Sequence, residues 1–250
     1  MSNNTLLNSS KIIFYGVLGF LGAFLVGMGE CFLHYNPHGY GGESTYSFLN
    51  EIAEWRIPWG HFLSVLPLPL YYIGYWHLYL ILRDSSEKLS KTFFILSVYV
   101  LGLAHVWIGS RAILILIVQM NETQGNLDNL LIAYDFFYET LISIVRIGIL
   151  ITSGLYIWMI WIGSSILPRW MVVFNPILLV VSSFGLYLIF PVFGGIIAPI
   201  AMNTAHIILF ALTTGLSIRY FKNQSKSDKI TTSKEILNKT KSEQTKDKHL

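Results

Sequence analysis

Residues 171–190 read MVVFNPILLVVSSFGLYLIF, a run without one charged side chain. A helix that crosses a bilayer needs roughly 20 mainly apolar residues, and this run is long enough. A membrane-spanning strand would instead show a short stretch of alternating hydrophobicity. The run therefore predicts a helix. Five comparable segments lie at approximately 11–33, 58–82, 92–118, 131–161 and 196–219. The whole chain is 53% hydrophobic and 12% charged, where a soluble domain carries about 25% charged residues. The expectation is an all-α, polytopic integral membrane protein: a six-helix transmembrane domain over residues 11–220, between a short N-terminus (1–10) and a polar tail (221–250).

Charge bias orients such a bundle. With six crossings both termini share a side, and that side takes every Lys and Arg except Arg56, Arg111 and Arg146. By the positive-inside rule this side is cytoplasmic, which suggests a cell (inner) membrane with both ends inside. The tail is rich in Lys, Ser, Thr, Asn and Gln and poor in large apolar residues. That composition predicts disorder and a modest attraction to anionic lipid. No aromatic interleaving or fold signature points to nucleic acid. The single cysteine, Cys31, cannot close an internal disulfide.

Between the first two segments lies GECFLHYNPHGYGGESTYSFLNEIAEWRIPWGH, residues 29–61. It contains the long first extracytoplasmic loop, Tyr35 to Ile57, and concentrates chemistry-bearing groups: Glu30, His34, His38, Arg56 and His61 with Trp55 and Trp59. Helix connections usually take about 2–8 residues, so this loop is expected to fold back as a lid, with a short helix over Phe48–Trp55. Trp55 and Trp59 individually fit an interfacial belt. On the first segment Gly19, Ala23, Gly27, Glu30 and His34 share an arc of about 80° at 100° per residue. Small residues at four-residue spacing mark close helix contacts in lipid, so Glu30 and His34 continue a face that points at the bundle. Capping of the helix end is the structural alternative for both.

In the second segment Pro67 and Pro69 remove backbone donors at mid-membrane and predict a kink. His61 shares a face there with Ser64, Leu68, Tyr72, Tyr75 and Tyr79, and the cluster YYIGYWHLY reads as an interfacial anchor. His105 lies near the middle of the third segment, with Arg111 about 120° away on the helix. The fourth segment carries the clearest polar stripe: Asp135, Glu139, Ile142, Arg146 and Ser153 fall within about 60°, with Tyr138 on the flank. Two acids one turn apart repel unless a cation or shared proton intervenes, and Arg146 and Arg111 are the candidate countercharges. The last segment aligns Asn203, His206, Phe210, Thr213 and Ser217.

Ionisable groups inside a membrane are costly and usually functional. Glu30, His34, His61, Asp135, Glu139 and His206 are therefore the candidate catalytic set, supported by His105, Arg111, Tyr138, Arg146 and Asn203. Carboxylates beside imidazoles in a low-dielectric pocket suit acid/base chemistry on a lipid or small amphipathic substrate. His61, His206 and His105 spread over about 15 Å of depth at 1.5 Å per residue, too far for one coordination shell, so no bound metal is expected and no cofactor is identified. Two other classes use the same residues: a proton- or ion-coupled transporter, or a receptor or structural protein in which the stripes merely pack. In layout alone, six spans with scattered His, Asp and Glu resemble the multi-pass zinc amidohydrolases of ceramides and the sterol-isomerase-like membrane enzymes. The motifs of neither map onto these residues, and no role is assigned from them.

Overall fold

The computed structural model describes residues 3–37, 46–163, 165–190 and 196–246. Among the described residues seven α-helices follow in order: α1 (Asn3–His34), α2 (Arg56–Val65), α3 (Leu68–Leu82), α4 (Glu87–Gln124), α5 (Asp128–Ile162), α6 (Pro176–Ile189) and α7 (Ala201–Lys246). Among the described residues there is no strand. Five helical stretches among them are long and apolar enough to cross a membrane: Ser9–His34, Arg56–Leu82, Glu87–Gln124, Asp128–Ile162 and Ala198–Ser227. The segment expected at 171–190 differs. Arg169–Phe174 is a 3-10 turn and only Pro176–Ile189 is α-helix, about 21 Å at 1.5 Å per residue. Asn175 and Pro176 break the run: the Asn175 side chain accepts from the Leu178 N–H and Pro176 takes the first helical position, which is how helices start.

The bundle is organised on α1. A Cβ added to Gly74 of α3 would sit 2.6 Å from the Gly19 Cα. Cβ atoms on Gly22 and Gly29 would collide with the α3 and α2 backbones. Such contacts let helix backbones touch. Gly29 meets Ser64 while Gly19 meets Gly74, so α2 and α3 run antiparallel to α1. Gly27 faces Asn203 and Gly16 faces Thr214, so α7 is antiparallel to α1 as well. The expected small-residue face on α1 is thus a real contact surface, with Ala23 and Glu30 buried in it.

Two prolines split the second apolar stretch into α2 and α3 at Leu66–Pro67. Pro69 has no N–H to offer the Val65 carbonyl four residues before it. His105 Nε2 of α4 lies 3.2 Å from that oxygen and donates to it. The imidazole replaces the missing helical bond. On α4, Ser86 caps the start and Glu87 sits in the first turn, where the helix dipole favours an acid.

The described part of the first loop packs against α4, and its helix is shorter than the expected Phe48–Trp55: a 3-10 turn over Ser47–Glu51. Phe48, Leu49 and Ile52 are buried, and Gln119 Nε2 of α4 donates to the Leu49 and Ile52 carbonyls at 3.2 and 2.7 Å. His38 and the glycines at 39, 41 and 42 lie outside the described residues. At the far end of the chain, where the composition predicts disorder, α7 continues as helix to Lys246. Between Gly215 and Lys246 the sequence has neither glycine nor proline, so no residue there interrupts the backbone hydrogen bonds.

Gly19→Ala is expected to destabilise the protein by about 1–3 kcal/mol through overpacking. Gly154→Ala, at a position with nothing within 4 Å, should be neutral or stabilising by up to about 1 kcal/mol. Unfolding midpoints in detergent would show the contrast, and equal midpoints would contradict the packing of α1 on α3.

Candidate functional site

Glu30 sits one turn before the end of α1 and is 4% exposed. A bare carboxylate there would be untenable, and four helices answer it. From α4, Arg111 Nη1 lies 2.9 Å from Glu30 Oε1. From α7, Asn203 Nδ2 donates to Oε2. From α3, the Tyr71 hydroxyl donates to Asn203 Oδ1 at 2.6 Å, fixing the amide's orientation. From α5, the Tyr138 hydroxyl accepts from Arg111 Nε at 2.9 Å. The guanidinium also lies 4.3 Å above the Trp107 ring, where cation–π attraction adds to the ion pair. Charge-assisted bonds of this kind are the strong ones.

One turn further along α7 lies a second polar unit. His206 is 3% exposed, and its Nδ1 is 2.7 Å from the Met202 carbonyl. A carbonyl only accepts, so Nδ1 carries the proton. In the neutral ring Nε2 is then a free acceptor, and it takes the Tyr75 hydroxyl proton bond at 2.7 Å. Tyr71, Tyr75 and Phe210 surround the imidazole with ring-to-ring distances of 5.1, 5.7 and 5.9 Å.

Both units border a cavity of about 210 Å³, larger than the roughly 150 Å³ that admits a benzene-sized guest in an apolar protein interior. Its polar end is Glu30, Asn203, Tyr75 and His206. The rest is mainly apolar, including Val100, Leu101, Val145, Ile149 and Val180. Arg146 and Phe184 are also in the wall and are exposed at the bundle surface, so the cavity reaches the outside between α5 and α6.

The expected set thus divides. Glu30 and His206 meet at the cavity, with Arg111, Tyr138 and Asn203 in their network as supporting groups. Asp135 and Glu139 belong elsewhere: both carboxylates accept from the Tyr46 hydroxyl of the first loop, Glu139 at 3.3 Å. Burial and the bond to Asp135 push the Tyr46 hydroxyl above the usual phenol range. These acids fasten the loop to α5. Neither is bonded to Arg146 among the described residues, because seven residues of helix, about 10 Å, separate Glu139 from it. His61 faces a different, more open hollow with Glu54, Gln119 and Thr123. His34 packs against Phe48 at 5.1 Å, and His105 serves the proline break while also lining the cavity. Among the described residues no three His, Cys, Asp or Glu side chains could share a metal ion.

Tyr71, Tyr75 and Trp107 were not in the candidate set. The YYIGYWHLY cluster looks like an interfacial anchor because aromatic density is the same in both settings. Only Trp76 of it is exposed; Tyr71 and Tyr75, one turn apart, face α7. His77 is fully buried and donates to the Ile12 carbonyl at 2.8 Å.

A sequence profile for a family of unknown function, DUF6796, matches residues 1–220. The chain belongs to that family. The match covers every helix that builds the site and stops where α7 turns polar. No curated protein and no solved structure gives a significant match.

Replacing Arg111 with Met strands the Glu30 carboxylate, and loss of about 3–5 kcal/mol is expected, as for other broken buried pairs. The double substitution Glu30→Gln with Arg111→Met should recover much of that loss. A thermal or denaturant double-mutant cycle measures it; additive losses would mean that the two side chains do not interact.

Proposed function

We propose that this DUF6796 protein is a six-crossing membrane protein that takes one mainly apolar, amphipathic molecule from the lipid into its cavity. The observation that carries the proposal is the cavity's make-up: apolar walls, a polar end at Glu30, Asn203 and His206, and a mouth at Arg146 and Phe184 on the bundle's side. Ligand sites are mostly apolar with a few placed polar groups, and a side mouth admits guests from lipid rather than from water.

The six-crossing topology has support of its own. Gly163, just past α5, packs against Ser85 at the end of the bundle where α3 passes to α4. Asn203, at the start of α7, bonds Glu30 near the opposite end. The intervening chain must travel the bundle's length, and α6 is its helical part. Both termini then lie with the Lys- and Arg-rich turns, which the positive-inside rule assigns to the cytoplasm.

A second reading, acid/base catalysis, keeps one observation in its favour: the hydrogen-bonded Tyr75–His206 pair lines the same cavity. Glu30, already paired with Arg111, is a poor general base beside it. Transport draws less from the geometry, because Asp135 and Glu139 are tied to Tyr46 and not to Arg146.

A photoreactive acyl-chain ester, activated with the protein in nanodiscs, should label residues lining the cavity. Ala104→Phe, which fills it, should cut labelling about tenfold or more, given the low tolerance of packed sites for added volume. Labelling spread over lipid-facing residues and unchanged by Ala104→Phe would overturn the proposal. Product formation lost on Tyr75→Phe and His206→Gln would establish the enzyme reading. Single cysteines at Ser85 and Ser225, in a Cys31→Ser background, should react from the same side of sealed vesicles, and a cysteine at Thr123 from the other. Opposite sidedness of Ser85 and Ser225 would exclude six crossings.

A further inference from the structure

Resting on the reading of the cavity as a lipid-derived guest site, we infer that its occupant is a single-chain carboxylic acid, with Arg146 receiving the carboxylate and the apolar walls the chain. The inference starts from depth. Arg111, Glu30 and Tyr138 form one level, tied together by hydrogen bonds. Glu30 lies four residues before the end of the Ser9–His34 crossing, about 6 Å below it. Arg146 follows Tyr138 by eight residues on antiparallel α5, about 12 Å deeper. Arg146 is therefore about 18 Å from the outer end of a crossing that is about 39 Å long, close to mid-membrane. Gly148, packed against Val100 halfway along the α4–α5 contact, agrees with that level.

A guanidinium at this depth is costly without a partner. Among the described residues Arg146 has no ion pair and no hydrogen bond from a side chain, and it is exposed at the cavity mouth. Charge complementarity at the mouth therefore calls for an anion. A phospholipid phosphate is held at the headgroup level, about 15 Å from the bilayer centre, and stays charged. A carboxylic acid crosses the acyl region in its neutral form and pairs as carboxylate, in the bidentate geometry that arginine favours over lysine. One chain, rather than two, suits a cavity of about 210 Å³. The Tyr75–His206 pair and Glu30 then border the guest on the wall contributed by α1, α3 and α7.

The test compares photoreactive palmitic acid with its methyl ester on the full-length protein in zwitterionic nanodiscs. The acid should label the cavity about tenfold more strongly at equal, subsaturating concentration, as one charge-assisted pair provides. Arg146→Gln should bring the acid down to the level of the ester without lowering the unfolding midpoint, and Arg146→Lys should restore part of the preference. Equal labelling by acid and ester, or a preference that survives Arg146→Gln, would overturn the inference and leave the cavity reading intact. Displacement by hexadecyl phosphate but not by unlabelled palmitate would overturn the carboxylate assignment. Failure of both probes to label the cavity would refute the cavity reading itself.

Discussion

A carboxylate buried in an apolar helical bundle demands compensation, and at Glu30 that demand shapes the half of the molecule around the end of α1. Arg111 of α4 neutralises it, Asn203 of α7 occupies its second oxygen, and Tyr71 of α3 and Tyr138 of α5 hold those two partners. One charge thereby ties five helices at one level. Burying such a pair stabilises little in net terms, but losing one member is expensive. The network acts as a registry device: sliding any of these helices by a turn would strand a charge.

Close packing makes the network possible. Gly19, Gly22 and Gly29 bring α1 against α2 and α3 at backbone contact, and Gly27 lets α7 approach α1 at Asn203, so the Glu30 and Asn203 side chains reach each other without spanning a gap. Where α5 and α6 form the opposite wall, packing is looser and the cavity remains. The short α6 is part of the reason: a helix about 21 Å long, started late by Asn175 and Pro176, does not seal the full height of α5. Arg146 and Phe184 mark the gap.

Several histidines illustrate how a polar residue in a membrane can be structural. His105 supplies the donor that Pro69 lacks, and His77 bonds a carbonyl of α1. His206 differs in holding a tyrosine hydroxyl where it borders the cavity. Their residue type is the same, so only their partners separate a brace from a candidate reactive group.

The sequence by itself determined the helical architecture, the five helical stretches apolar enough to cross a membrane, the proline break and the packing face of α1. Each is written in local properties: run length, mean hydropathy, missing N–H groups and the spacing of small residues. It also singled out Glu30, Arg111, Asn203 and His206, because charge and amide groups in apolar runs stand out. Which of them meet was decided by the tertiary structure. Helical wheels rank residues around one axis but carry no information on the level at which two helices cross, so Asp135 and Glu139 looked equivalent to Glu30 until Tyr46 claimed them. Tyr71 and Tyr75 were hidden for the opposite reason: an aromatic run has the same composition at the lipid interface and against a buried imidazole, and only the partner across the contact tells them apart.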